Sequence, residues 1–229
     1  PGTDSICENI EIDPLNFDLL YSVLLKNNIS TVIVGPEIPL VKGIVDFLSE
    51  KNIFTFGPSK KASQLEGSKD FMKKLCKDFN IPTAEYESFD NLLKAQDFIK
   101  KSKHPLVIKS DGLAAGKGVT ISNNVEESIK CTKEILEGKF KTSSKVVIEE
   151  FLEGEEASYF VITDGENYLP IGTAQDHKRI GENDTGLNTG GMGAYSPSLL
   201  ITNDMQEKIN KKIIEPTIKS LNTIGCSFV

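Results

Sequence analysis

The segment Pro105-Leu-Val-Ile-Lys109-Ser-Asp-Gly112-Leu-Ala-Ala-Gly116-Lys117-Gly118-Val-Thr-Ile121 decides how the rest of the chain is read. A strand-type apolar run, Leu106 to Ile108, delivers Lys109 to a loop with three glycines and a second lysine. The β-branched run Val119 to Ile121 then leads away. Glycine lets backbone N–H groups approach a ligand closely and lysine supplies charge, so a strand–loop–strand of this composition can drape over phosphates. A P-loop is excluded by spacing. One residue too few separates Gly112 from Gly116, Gly118 stands where Ser or Thr should hold magnesium, and a strand follows instead of a helix. The competing reading is a hairpin tip with incidental lysines, and the surroundings weigh against it.

Those surroundings are α/β. Apolar residues Phe17, Leu20, Val23 and Leu24 fall at helical spacing, Thr31 to Val34 reads as a strand, and Gly35 to Leu40 reads as a loop at the strand's carboxyl end. A helix from Val41 and a strand at Ile53 to Phe56 complete a helix–strand rhythm that predicts a parallel sheet. Ligands bind beyond the carboxyl ends of such strands, which puts Pro36 and Glu37 there. Ser59 is expected to cap a long helix to about Phe79, carrying Lys69 and Lys73 one turn apart on one face. A strand over 83–89, a helix capped by Asp90, the central hairpin and a helix over about 124–137 follow. Lys145 to Ile148 reads as a buried strand that runs into the acidic stretch 149–156. Such a run is commonly a solvated turn. Yet it begins inside a strand, and a hinge of this kind can offer backbone groups to an adenine edge and a carboxylate to ribose. A β-hairpin over 157–173 precedes the stretch 174–197, which has almost no periodicity and is therefore a functional candidate. It contains Arg179, the one arginine of the sequence, whose planar fork suits a carboxylate or phosphate. Thr202 or Asn203 caps a last helix to about Leu221, and 225–229 reads as a strand in mid-course. With no methionine at Pro1, the 229 residues read as part of a longer protein.

Composition narrows the function. A net charge of −7 argues against nucleic acid as the main partner. No apolar run approaches the ~18 residues of a membrane span. Cys7, Cys76, Cys131 and Cys226 lie far apart, without CxxC spacing, and read as reduced thiols of a cytosolic protein.

Lys109 with its glycine loop, a lysine 40 positions earlier and a hinge after a strand resemble the ATP-grasp ligases. Six further segments are similar to the phosphoribosylamine–glycine ligase family: Gly35 to Gly43, Leu65 to Lys69, Ile81 to Ala84, Lys109 to Gly118, Glu149 to Ser158 and Gln175 to Arg179. Asp184-Thr-Gly-Leu-Asn-Thr-Gly-Gly-Met-Gly-Ala-Tyr-Ser-Pro197 is the most specific segment, and the likeness spans the chain in family order.

The resemblance implies a partial doubly wound substrate-binding domain over 1–58. An ATP-grasp domain over 59–229 would follow, truncated at its carboxyl end, with a small lid at about 105–150. The implied reaction joins glycine to 5-phosphoribosylamine at the expense of ATP, with Mg2+ or Mn2+, through a glycyl phosphate. The nucleotide would be held by Lys69, Lys109, Gly112, Gly116, Lys117 and Gly118, and by Glu149, Glu150, Phe151, Leu152 and Glu156 at the hinge and ribose. Asp176, His177, Lys178 and Arg179 would face the reacting groups, with His177 either a base or a hydrogen-bond donor. Pro36, Glu37, Thr189, Gly190, Gly191 and Met192 would contact substrate. Metal ligands are expected after Val229, not within the chain. Small molecules are the implied partners, with fusion to or association with other purine-pathway enzymes allowed for. Another ATP-grasp ligase or carboxylase would share the lysines and hinge but not the 184–197 run. A non-catalytic ATP-binding fragment would fit the truncated length.

Overall fold

The structure is a computed structural model that describes residues 2–114, 118–140, 144–182, 185–226 and 228–229, with the side chains of 187 and 188 left aside. Helix α1 (Phe17–Lys26) is capped by Asn16, whose side chain accepts from the Leu19 amide. Strand β1 (Thr31–Ile33) follows, then α2 (Glu37–Lys42), α3 (Ile44–Glu50) and β2 (Phe54–Phe56). β1 and β2 are parallel, as the helix–strand rhythm requires. Leu24, Ile44, Val45, Leu48 and Ile53 form the core of this first unit.

The segment expected as a loop at 35–40 is instead the start of α2. Pro36 occupies the cap position and Glu37 the first turn, where its charge suits the helix dipole. Gly43, at φ 95°, then turns the chain from α2 into α3.

The single helix expected from Ser59 to Phe79 is broken. Ser59 does accept from the Ala62 amide, but α4 (Gln64–Gly67) stops at Ser68, which is extended, and α5 (Lys69–Asp78) starts afresh behind it. The Ser68 side chain accepts from the Phe71 amide and so caps the new helix.

Next come β3 (Tyr86–Phe89), α6 (Leu92–Lys101), β4 (Leu106–Ser110), β5 (Val119–Ser122), α7 (Val125–Leu136) and β6 (Val146–Glu150). The cap of α6 is Asn91 rather than Asp90, with its side chain accepting from the Lys94 amide. These four strands make one antiparallel sheet in the order β3-β6-β4-β5. Residues 119–122 are a strand, as a phosphate-draping hairpin demands and a P-loop forbids. The sheet's inner face (Leu106, Ile108, Val146, Ile148) packs on Ala95 and Ile99 of α6 and Ile135 of α7. Thus the unit around the central hairpin draws in β3 and α6 from ahead of residue 105.

Strands β7 (Ser158–Thr163) and β8 (Tyr168–Asp176) form the expected hairpin. The stretch expected to lack periodicity is more ordered than its composition indicates. It holds β9 (Arg179–Gly181), β10 (Thr185–Asn188) and β11 (Ala194–Tyr195), with β9 pairing β10 and β11 pairing the end of β8. Register there is set by backbone pairing, which a Gly-rich sequence does not advertise through apolar alternation.

Thr202 caps α8 (Asn203–Ile209), which passes through a π-helical turn over 210–214 into α9 (Glu215–Thr223). Leu221 and Cys226 pack against Ala62 and Leu75, fastening this helix to α5. The strand expected over 225–229 is absent among the described residues there. Gly225 is left-handed at φ 67° and Cys226 turns back to donate to the Leu221 carbonyl.

Candidate nucleotide-binding site

Strand alternation sorts the side chains of the four-stranded sheet. With Leu106, Ile108, Val146 and Ile148 turned toward the helices, Lys109 and Glu149 are turned to the opposite face. There the Lys109 Nζ donates to Glu149 Oε2 at 2.8 Å. A second ammonium, Lys73 of α5, reaches the same oxygen at 3.1 Å. Glu149 is 5% exposed and Lys73 2%, whereas Lys109 is 24% exposed. The carboxylate is therefore clamped between one sealed cation and one that faces the opening.

The break at Ser68 is what aims α5 at this face. Asp111, two residues past Lys109, accepts hydrogen bonds from the Ser68 hydroxyl at 3.1 Å and from the Asp70 amide at 3.1 Å. Its carboxylate thus sits over the first turn of α5, where orphan N–H groups and the helix dipole favour an anion. Lys69, the first residue of α5, donates to the Gly112 carbonyl at 2.9 Å. Gly112 takes φ 88° at that bend, a conformation that favours glycine. Burial lowers the Lys69 pKa, and Asp111 and Glu66 partly restore it.

Behind these groups Asp70 is nearly buried and accepts from Lys74 and Lys145, both at 2.9 Å. Burial pushes its carboxyl up, but the hydrogen bonds from the two lysines outweigh that and hold its pKa at about 2. Lys145 in turn leads into β6, and its carbonyl accepts from the Asp111 amide at 3.1 Å.

Across the glycine loop, the Gly118 carbonyl accepts from the Ser110 amide at 2.8 Å, closing the base of the hairpin. A Cβ at Gly118 would lie 2.7 Å from the Ala114 Cβ and 3.3 Å from the Ser110 Cβ, so the turn is built for glycine. Gly116 and Lys117 lie outside the described residues.

At the hinge, Glu150 accepts from the Glu85 amide at 2.9 Å and so secures the β3 side of the sheet. Phe151 and Leu152 follow with 36% and 62% exposure, apolar surface open to a ligand. Glu156 pairs with Lys178, whose ammonium also lies 3.8 Å from Asp176. The Glu156 hydrogen bond raises the Lys178 pKa. That pair ties the segment after the hinge to the stretch after β8.

The latter stretch is a folded-back double hairpin. The His177 amide donates to the Gly193 carbonyl at 2.9 Å, the Met192 amide to the His177 carbonyl at 2.7 Å and the Thr189 hydroxyl to the Lys178 carbonyl at 2.8 Å. The His177 ring lies 6.1 Å from the Tyr195 ring. Arg179 is half-buried at the head of β9, opposite Asn188 in register, while Gly190, Gly191 and Met192 lie exposed between β10 and β11. Asp184 lies outside the described residues.

Lys69, Lys109, Gly112 and Glu149 are thus gathered into one cluster, and Asp176, Lys178 and Glu156 into another. Pro36 and Glu37 join neither through any described hydrogen bond. Glu37 instead lines a cavity of about 280 Å3 with Leu40, Val41, Pro58, Leu65 and Phe228. Two further residues that hold the first cluster together were legible only in part. Lys73 stands one turn from Lys69 in the helical reading, but its role as partner of Glu149 emerges only from the fold. Asp111 sits inside the quoted hairpin, and its capping of α5 depends on a helix start that propensity hides.

Cations gather around a glycine-cornered hairpin, above a buried carboxylate and beside an apolar hinge, and the fold that carries them is an ATP-grasp fold. Residues 1–66 match the phosphoribosylglycinamide synthetase N domain and residues 67–229 its ATP-grasp (A) domain, so the chain belongs to the phosphoribosylglycinamide synthetase family. It is 52% identical over 212 residues to the chloroplastic phosphoribosylamine–glycine ligase of Arabidopsis thaliana, covering 92% of this chain and 40% of that protein. The crystal structure of phosphoribosylamine–glycine ligase from Thermotoga maritima superposes with a TM-score of 0.83 at 31% identity, over 99% of this chain and 55% of that one. The biotin carboxylase domain of Hydrogenobacter thermophilus 2-oxoglutarate carboxylase, solved with MgADP and bicarbonate, shares the fold. Its TM-score is 0.74 at 20% identity, over 92% of this chain and 48% of that one. The chain spans about half the length of the relatives it matches.

Proposed function

We propose that this chain supplies the nucleotide-holding half of a phosphoribosylamine–glycine ligase, which converts ATP, glycine and 5-phosphoribosylamine to ADP, phosphate and glycinamide ribonucleotide. The observation that carries the reading is the cluster of Lys69 and Lys109 around the hairpin, in a chain whose whole length matches the family. In this reading the two lysines bind the α/β-phosphates and the turn from Gly112 to Gly118 lies over the triphosphate. The backbone of Glu149 to Leu152 takes the adenine edge and Glu156 the ribose. Charge-assisted contacts from fixed ammonium groups position the γ-phosphoryl without any change in protonation.

A glycine carboxylate oxygen attacks the γ-phosphorus as the bond to ADP breaks. The amine of phosphoribosylamine then attacks the acyl carbon, phosphate departs with the C–O bond, and the new amide nitrogen loses a proton. Asp176, His177, Lys178 and Arg179, with Thr189 to Met192, face these groups, and the Arg179 fork neutralises a carboxylate or phosphate. Pro36 and Glu37 contribute to the amine substrate's site.

Magnesium would accompany the nucleotide. Among the described residues no group of three or more His, Cys, Asp or Glu is placed to hold a metal. No described helix is long and apolar enough to cross a membrane. A cytosolic location is part of the proposal and rests on the reduced-thiol reading of the widely spaced cysteines. Fractionation would expose an organellar location like that in the name of the Arabidopsis relative.

The decisive assay follows ADP release by the full-length protein while each co-substrate is omitted in turn. ADP release that needs both glycine and 5-phosphoribosylamine is the expected result. Release that proceeds with another carboxylate or amine, and not with these, would overturn the assignment.

A further inference from the structure

We propose that Lys73 is a positioning residue whose fixed charge lets Lys109 leave Glu149 for the phosphates of a bound nucleotide. The inference rests on the nucleotide reading above. Lys73 is sealed, and its ammonium is held internally. It donates to the Thr83 hydroxyl at 2.8 Å and the Ala84 carbonyl at 3.0 Å, and it forms an ion pair with Glu149 Oε2 at 3.1 Å. The Tyr86 ring lies 5.6 Å below it. A lysine so sealed is closed to a ligand, which sets it apart from Lys109.

What it does offer is a permanent counter-charge. Glu149 is nearly as buried, and its second oxygen, Oε1, has no partner among the described residues. Were Lys109 its only cation, any movement of Lys109 toward phosphate would strand a desolvated carboxylate, which is strongly unfavourable. With Lys73 in place that carboxylate stays paired when Lys109 turns away. Lys109, whose described contacts are confined to Glu149 and which is partly open to solvent, can then change partners at little cost. Removing the Lys73 charge therefore tightens the grip of Glu149 on Lys109, and the loss falls on phosphates rather than on adenine.

The test is calorimetric binding of adenosine and of ADP to the full-length protein, unsubstituted and as Lys73→Met, Lys109→Met and the double variant. Lys73→Met is expected to weaken ADP tenfold or more while changing adenosine less than about threefold. In the Lys109→Met background it is expected to change ADP less than about twofold, because the group through which it acts is gone. Equal losses for adenosine and ADP, or losses that multiply in the double variant, would mean that Lys73 merely holds the fold and would overturn the proposal. Should Lys73→Met fail to fold by circular dichroism, Thr83→Val takes its place. It removes one tether of Lys73, and the same selective loss for ADP at two- to fivefold is expected. A loss shared with adenosine, or none, would overturn it. No binding of either ligand by the unsubstituted protein would remove the nucleotide reading itself, and this inference with it.

Discussion

Replacing Lys109 by methionine removes one cation from the site while leaving the buried carboxylate paired, so function and stability should separate. Methionine keeps the length of the side chain and its packing on β4. Glu149 retains Lys73 at 3.1 Å, so no desolvated charge is orphaned. The lost ion pair is partly exposed on its lysine side, and such pairs contribute about 1 kcal/mol or less to folding. A charge-assisted contact to phosphate is worth roughly 1.5–3 kcal/mol, which corresponds to about ten- to a hundredfold in affinity. The expected outcome is an unfolding midpoint within a few degrees of the unsubstituted protein, together with a KM for ATP raised by about ten- to a hundredfold and a slower turnover. Steady-state kinetics in ATP at saturating co-substrates, beside a thermal melt, would measure both. Unchanged ATP kinetics would remove Lys109 from the site. A collapse in stability equal to that of a core deletion would mean that the pair with Glu149 is structural first.

Other outcomes follow from the same geometry. Arg179→Lys keeps the charge but replaces a two-point fork by a single differently aimed donor. Activity should fall at least tenfold, with the loss on glycine or phosphoribosylamine rather than ATP when each substrate is varied in turn. Asp70 has a folded pKa of about 2, below the ordinary 3.8 of an aspartate, so its stabilisation is complete above pH 3.8 and is lost as the pH falls through about 2. Asp70→Asn should cost up to about 2 kcal/mol at neutral pH and flatten the acid limb of the stability profile, read by urea titration at several pH values. Gly118→Ala places a methyl 2.7 Å from the Ala114 Cβ and forces the hairpin to shift. A cost on the order of 1 kcal/mol, about fivefold in ADP affinity by calorimetry, is expected with little change in the melt.

Much of the architecture was legible because burial imposes a period. The run Leu106 to Ile108, the run Val146 to Ile148 and the apolar stripe of α6 each announce a face, and the structure closes them on one core. Lys109 and Glu149 could be placed on the outer face by the same alternation. Helix punctuation was less legible. Gly-Ser-Lys at 67–69 sits inside an otherwise continuous helical pattern, and the break follows from a tertiary contact. The Asp111 carboxylate, 41 positions from the Asp70 amide it accepts, makes a fresh helix start there favourable. Pro36-Glu-Ile-Pro39 misleads in the opposite sense, because two prolines suggest a loop although proline in a first turn loses no helical hydrogen bond.

The placement of the second cluster follows from the same physics. Between Ala174 and Pro197 the chain has few apolar side chains to bury, so no hydrophobic pattern specifies its register. Backbone bonds from His177 to Gly193 and from Met192 to His177 do so instead, joined by Thr189 bonding to Lys178. In an arrangement held mainly by backbone, the side chains of Lys178, Asp176 and Glu156 form their ion pairs without setting the register. The lysine cluster solves the opposite problem, holding strong charges in a nearly dry setting, and it does so by giving the sealed carboxylate two cations. One of these is locked by Thr83 and Ala84, and the other, nearer the opening, is left to exchange its partner. A ligand that brings phosphate to this face thus meets a charge already compensated behind it, which is the condition under which binding need not disturb the fold.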